Sequence, residues 1–363
     1  MNKNRLVIVY WNLGIGGIQK RIRDIVIDIS DHKQEWETYI LLRSRLKEGF
    51  EDQLPPSPNV HIVIYPFDKR RIRLPGGFAF WLLLKYVQMR PHIVLTFLPQ
   101  LALTLISIKR LVFWIHSALV INEGVVLTTY LKLRGLSWLH PVIRAYNTAD
   151  KIIVPTQACG RDLYEHYSID KRRIAVIPNW TLVKRHTPLH GAYDILYIGR
   201  FDAEKNVLSI CDIVRQLKIR HPKVKALLVG SGDLLFQLRK KISDYRLENN
   251  IDIEMFHSDV LPYMLHAKVL ILPSVSEGMP NVVLEAAMCR VPSVVNDFSG
   301  AKEVVLHKKT GFISTTNTNA AHYIHNLLTD ERQRRNIGLR AQRFVAANYT
   351  RAAQARFITM LLS

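Results

Sequence analysis

Cysteine is scarce in this chain: Cys159, Cys211 and Cys289 are the only three in 363 residues, far apart and part of no C-x-x-C. An odd, dispersed set argues against a disulfide framework or a zinc site and fits a reducing compartment, the cytoplasm. Low-complexity stretches are also missing, and with 48 % apolar and 22 % charged residues the chain reads as folded throughout. No G-x-G-x-x-G follows the first apolar run, because Gly14, Gly16 and Gly17 lead into Ile18, Gln19 and Lys20. A dinucleotide fingerprint is therefore not supported. No A-x-A cleavage pattern follows "MNKNRLVIVYWNLGIGG", so this start reads as a buried strand ending in a glycine loop rather than as a leader. Residues 91–108 lack Asp, Glu, Lys and Arg, near the length of a membrane span, but Pro99 and Gln100 split them into a strand and a short helix.

What the chain has in excess is positive charge. The formal net charge is +20, made up of 27 Lys+Arg against 14 Asp+Glu (+13) over residues 1–185 and 23 against 16 (+7) over 186–363. Such an excess favours a polyanionic or phosphorylated partner. The basic residues are scattered over helices and match no homeodomain, zinc-finger, RNP or KH pattern, so nucleic acid is not the expected partner.

Short apolar runs alternate with longer amphipathic stretches: "RLVIVYW", "ETYILL", "NVHIVIYP", "HIVLTF", "LVFWIHS" and "KIIVPT", then "DILYIGR", "KALLVG", "IDIEMF", "KVLILPS", "PSVVND" and "GFIST". Strands this apolar are buried on both faces, which calls for parallel sheets covered by helices. The expected fold class is α/β, two Rossmann-like parallel-sheet domains facing across a cleft. The expected domains are 1–185 and 186–345, with a C-terminal helix at 346–363 crossing back to the first domain and a linker near 181–192. The last helix is expected from about Asn336 to Leu362.

Open parallel sheets bind ligands beyond the carboxyl ends of their strands, so the loops after strands carry the chemistry. Three stand out. The Gly14–Gly16–Gly17 loop either lets backbone N–H groups approach an oxygen-rich ligand or forms a tight turn that needs positive φ. In "ILYIGRFDAEKNV", Arg200 and Lys205 follow a strand; they either grip a diphosphate, one as a fork and one as a point charge, or stay solvated beside Asp202 and Glu204. In "SEGMPNVVLEAAM", Glu277 precedes a Gly278–Met279–Pro280–Asn281 turn and Glu285 lies inside the helix that follows. Two carboxylates on either side of a helix start suit sugar hydroxyls, or else a cap and a buried paired acid.

Taken together with "GGIQKRI", "WIHS", "ADKIIVPTQACGRDLYEHYSIDKRRIAVIPN" and "LPSVSEGMPNVVLEAAMCRVPSVVNDFSGAKEVVLHKKTGFI", these loops resemble glycosyltransferase family 4, retaining enzymes of the GT-B fold, over nearly the whole chain. The resemblance implies a UDP- or GDP-sugar donor, with Arg200 and Lys205 on its diphosphate and Glu285 on its ribose. It places Glu277 by the transferred sugar, with Gly278, Met279, Pro280, Asn281 and Val282 completing the donor site. Gly16 and Gly17 close over the phosphates or the acceptor, and His116 lies near the donor sugar and the attacking hydroxyl. No essential metal is implied; Asp252-Ile253-Glu254, the nearest approach to a D-x-D, reads as a strand. Arg290 and the His257/Ser258 pair stand where the family commonly has glycine. A nucleotide-sugar epimerase of the same fold is the alternative enzyme.

The acceptor is expected on the first domain, as a glycan or a lipid-linked molecule. Lys69, Arg70, Arg71 and Arg73 precede an apolar segment holding Phe78, Phe80, Trp81 and Tyr86. Basic residues beside an aromatic amphipathic helix fit an anionic membrane surface docking on residues 69–90, and a peripheral position on the inner face of the membrane. An ordinary core helix behind a solvated basic loop is the other reading.

Overall fold

A computed structural model of the chain describes residues 3–14, 16–46, 50–54, 56–67, 76–189, 192–256 and 259–363. The basic run Lys69–Arg73 and the His257/Ser258 pair lie outside the described residues. Two compact units result: Met1–Ile177 with Gln354–Ser363, and Pro178–Ala353. The linker stretch 181–192 thus falls inside the second unit.

The first unit is built on seven strands, β1 (Asn4–Tyr10), β2 (Trp36–Leu42), β3 (Val60–Ile64), β4 (Ile93–Thr96), β5 (Ala118–Asn122), β6 (Lys151–Val154) and β7 (Ile174–Val176), in the order β3-β2-β1-β4-β5-β6-β7. The second has six, β8 (Tyr193–Ile198), β9 (Ala226–Val229), β10 (Ile251–Glu254), β11 (Ala267–Leu272), β12 (Ser293–Asn296) and β13 (Gly311–Ser314), ordered β10-β9-β8-β11-β12-β13. Every pairing is parallel. Hydrogen bonding in such sheets is satisfied strand to strand while both faces are packed by helices, which is why the central strands carry almost no polar side chain. Asp252 and Glu254 are on β10, the edge strand of their sheet, as their alternation suggested.

Three elements differ from the reading of the sequence. "LVFWIHS" is not a strand: the Pro99–Leu111 helix is closed by the Val112 N–H on the Ile108 carbonyl, a turn follows, and β5 begins only at Ala118, whose N–H meets the His92 carbonyl at 2.8 Å. A buried strand must register with its neighbours, and Ile93↔Ala118 is the register here. Strand β7 was not anticipated. The last helix is two helices, Glu331–Asn348 and Arg351–Leu362. Within the first unit the second of these is held by Gln354, whose amide donates to the Asp24 carbonyl at 3.0 Å.

Arg290 sits at φ 58°, the left-handed region where a Cβ costs about 1–2 kcal/mol. A glycine would suit this turn. The arginine is held by its Nε–H on Gln342 Oε1 (3.1 Å), while Gln342 donates to the Met288 carbonyl at 2.6 Å. Gly338 lets the Glu331–Asn348 helix press onto the same turn: a Cβ there would stand 2.0 Å from the Arg290 carbonyl oxygen.

Candidate active site

In the second unit the strand order reverses direction at the β8/β11 pair, and crevices at such reversals are where open parallel sheets bind ligands. Arg200 and Lys205 follow β8; Glu277 and the Asn281–Met288 helix follow β11. Residues 72 apart in the chain are thereby brought together: Lys205 Nζ lies 2.5 Å from Glu277 Oε1, which also accepts from the Ser274 hydroxyl at 2.9 Å. The Val275 N–H on the Glu204 carbonyl (2.9 Å) ties the two loops by their backbones.

The loop after β8 is rigidly knitted. Gly199 N–H bonds the Val229 carbonyl, Phe201 N–H the Ser231 carbonyl, and the buried Tyr197 hydroxyl donates to the Arg200 carbonyl at 2.7 Å. Gly230 is demanded by this approach, since a Cβ there would meet Gly199 O at 2.0 Å. The Arg200 backbone is therefore anchored while its side chain stays 55 % exposed, its Nη2 3.1 Å from Asp202 Oδ2 and 3.2 Å from Glu204 Oε2. Burial, reinforced by the nearby Glu277 charge, pushes the Tyr197 phenol well above its usual range, so it acts as a neutral donor.

Electrostatically the cluster is more balanced than two bare cations. Asp202, Glu204 and Glu277 oppose Arg200 and Lys205, so an anion gains from these cations only by drawing them from carboxylates. Backbone donors are the other resource. The Asn281–Met288 helix begins at Pro280 with no side-chain cap and no acid in its first turn, leaving a favourable potential at its start. Gly278, Met279 and Pro280 are buried, and Asn281 and Val282 half-buried. Asn179 fixes this turn: its amide donates to the Met279 carbonyl at 2.7 Å and to Asn281 Oδ1 at 3.1 Å. Nothing in the local pattern marked Asn179 except its place in "VIPN". Glu285 is buried within the helix and helps raise the Cys289 thiol to about 12, after burial as the larger cause.

In the first unit the reversal is at β1/β4, and the loop after β1 holds Gly16 and Gly17. Positive φ is not their reason: Gly16 is extended, and neither it nor Gly14 or Gly17 lies in the left-handed region. Gly17 opens a helix, Gly17–His32, without a side-chain cap or a first-turn acid.

His116 is not brought to such an edge. It is exposed and precedes β5, hence at the amino ends of the strands, because the expected strand "LVFWIHS" is a turn. The residue that does follow β5 is Glu123, 1 % exposed, which accepts from the Tyr146 hydroxyl at 3.2 Å. Burial, only partly offset by Tyr146 and worsened by the nearby Asp162 charge, raises its carboxyl to about 8. Its signal in the sequence was its isolation, a lone acid between an apolar run and Gly124. Among the described residues no three His, Cys, Asp or Glu side chains group as a metal set.

Comparison with known proteins completes the picture. A model described as "Glycosyltransferase Family 4" matches residues 15–182, and one described as "Glycosyl transferases group 1" matches 179–344. An uncharacterized glycosyltransferase of Methanocaldococcus jannaschii is 24 % identical over 174 residues, 44 % of this chain and 43 % of that protein. The gpi3 subunit of a Schizosaccharomyces pombe phosphatidylinositol N-acetylglucosaminyltransferase is 22 % identical over 186 residues, 49 % of this chain and 41 % of that one. The chain thus spans less than half the length of these curated relatives. Among solved structures, Anabaena HepE in complex with UDP and glucose superposes with a TM-score of 0.81 at 18 % identity, covering 99 % of both chains. Two all-parallel Rossmann-like sheets and the two adjoining family matches, together spanning residues 15–344, make this chain a member of glycosyltransferase family 4, with the GT-B fold.

Proposed function

We propose that the protein transfers a sugar from a nucleotide-diphosphate sugar to a hydroxyl acceptor with retention of configuration. The observation that carries this is the Lys205–Glu277 pair, with Arg200 held on Asp202 and Glu204 of the same loop, beside an uncapped helix start at the β8/β11 reversal. The UDP and glucose bound by HepE support the donor class. In this reading the bond between the anomeric carbon and the diphosphate oxygen breaks, the acceptor oxygen attacks from the same face, and the departing phosphate takes the acceptor's proton. Negative charge grows on the diphosphate as the bond breaks. Arg200, Lys205 and the first N–H groups of the Asn281–Met288 helix meet it, favouring the transition state over the ground state. Glu277 and Glu285 accept hydrogen bonds from hydroxyls of the sugar and the ribose.

A thermal-shift panel of UDP-, GDP- and ADP-sugars tests the donor and names its base: one nucleotide series is expected to raise Tm, by about 2.7 kcal/mol of added stability at 100 times Kd. No shift with any of them would remove the reading. The epimerase alternative would instead convert UDP-GlcNAc to its C2 epimer without an acceptor. We assign no essential metal, and turnover is expected to survive exhaustive EDTA treatment; abolition reversed by Mn²⁺ or Mg²⁺ would count against that assignment.

The acceptor is read as a lipid-linked or membrane-displayed glycan precursor, reached by the first unit from the cytoplasmic face. The gpi3 relative's name, with phosphatidylinositol in it, and the basic character of residues 1–185 support this. No helix among the described residues is long and apolar enough to cross a membrane.

A further inference from the structure

The turn that replaced the expected strand carries its own message. Leu111, Phe113 and Trp114 are 60 %, 75 % and 58 % exposed, and the two aromatic rings meet edge to face at 5.3 Å. Three large apolar side chains in four residues, presented at a turn and left exposed among the described residues, form a wedge rather than scattered surface residues. Beside them runs the Gly77–Met89 helix, which buries Trp81, Leu82 and Tyr86 while exposing Phe80, Leu84 and Val87 at i, i+4 and i+7. The two features are joined. Tyr86 and Ser117 share a hydroxyl–hydroxyl hydrogen bond, and Leu82, Tyr86 and Met89 line one small cavity with Leu105 of the Pro99–Leu111 helix that leads into the turn.

Charge identifies what covers this surface. From Gly76 to Ala149, all described residues, the chain holds seven Lys and Arg against one acid, Glu123, which is buried and held protonated near neutral pH. The Gly77–Met89 helix has no acid and is followed by the exposed Arg90; the Pro99–Leu111 helix ends in Lys109 and Arg110, with Asp150 neutralised by Lys109. A protein partner would need matching acidic residues around an apolar socket. An anionic bilayer supplies both over an unstructured area, with tryptophan and phenylalanine at the headgroup boundary and arginine and lysine on the lipid phosphates.

We infer that the Leu111–Trp114 turn and the Phe80–Leu84–Val87 stripe form one membrane-docking surface that inserts the Phe113–Trp114 pair into the interface of an anionic leaflet. This deepens the acceptor reading above and rests on it for its purpose. Its test uses no donor and no turnover, so its failure leaves glycosyl transfer standing, and loss of glycosyl transfer leaves it standing.

The purified full chain is sedimented with phosphatidylcholine vesicles and with vesicles also containing phosphatidylglycerol, beside the variant Phe113→Ser/Trp114→Ser. Both substituted side chains are exposed, and matching thermal melts check that the variant is folded. The wild type is expected to partition onto the anionic vesicles, less so at high salt, and the variant to lose about tenfold or more of that affinity. In a second readout, brominated lipid is expected to quench the wild type more than Trp114→Phe. Equal recovery of wild type and variant, or equal recovery on neutral and anionic vesicles, would overturn the inference. So would a dimer in solution that the double variant dissociates without any change in vesicle binding, since the wedge would then belong to a second copy of the chain.

Discussion

Lys205→Ala is expected to lower turnover at saturating donor by about 10² to 10³-fold, the loss seen when one preorganised charge-stabilising donor is removed. The proposed chemistry builds negative charge on a diphosphate, and an ammonium about 4 Å from it at an effective dielectric near 20 contributes roughly 4 kcal/mol before desolvation. The geometry adds a second consequence. Lys205 and Glu277 are largely buried, with side chains 18 % and 11 % exposed, and their charged atoms are 2.5 Å apart. Removing the cation strands a carboxylate, which for buried pairs costs about 3–5 kcal/mol of stability.

Rate and stability must therefore be read separately. Lys205→Ala is expected to melt earlier than the wild type, and Lys205→Ala/Glu277→Gln to recover most of the lost stability, because no unpaired charge remains, while turnover stays low. Such a cycle isolates the pair's coupling from the catalytic loss. A near-wild-type rate for folded Lys205→Ala would take Lys205 out of the site. A double variant that recovers turnover along with stability would make the lysine a structural counter-ion only.

Glu123 is expected to make stability depend on pH between about 5 and 9. Its carboxyl is raised from 4.5 to about 8 in the folded chain. Because the folded state holds the proton more tightly, the associated stability is fully present below pH 4.5, declines as the pH rises, and is gone above about 8. At 1.36 kcal/mol per pH unit the interval corresponds to about 5 kcal/mol as an upper figure. The groups facing the carboxyl are the Tyr146 phenol, itself raised well above its usual range by burial and by Glu123, the backbone N–H groups of Gly124 and Val125, which partly offset the burial, and the Asp162 carboxylate. None supplies a full positive charge.

Glu123→Gln keeps the shape and removes the titration. Near pH 5 the variant is expected to unfold at nearly the same urea midpoint as the wild type. By pH 9 it should be the more stable by several kcal/mol. Subtracting the two curves cancels the titration of groups that do not interact with Glu123. A difference that does not change between pH 5 and 9 would mean that Glu123 is already ionised in the folded state, with an unseen partner.

The same residue shows where reading the chain succeeded and where it stopped. Apolar runs such as "RLVIVYW" and "KVLILPS" became β1 and β11 because a strand covered on both faces admits few polar side chains, a constraint visible locally. Glycine, proline and carboxylate spacing around Glu277 and Glu285 marked the loop after β11 for a similarly local reason. "LVFWIHS" misled because apolar content alone does not say where a strand begins. Pairing with β4 set that start at Ala118, which moved His116 to the opposite edge and left Glu123 at the carboxyl end.

The sequence alone therefore determined that this protein is two α/β units with chemistry in the loops after strands, since periodicity and turn residues act within a few positions of the chain. Only the tertiary structure decided which charges meet. The Lys205–Glu277 pair, the burial of Glu123 against Tyr146 and the Asn179 hold on the Met279–Asn281 turn each join residues distant in the chain. Their energies depend on desolvation and distance, which exist only once the sheets have closed around them.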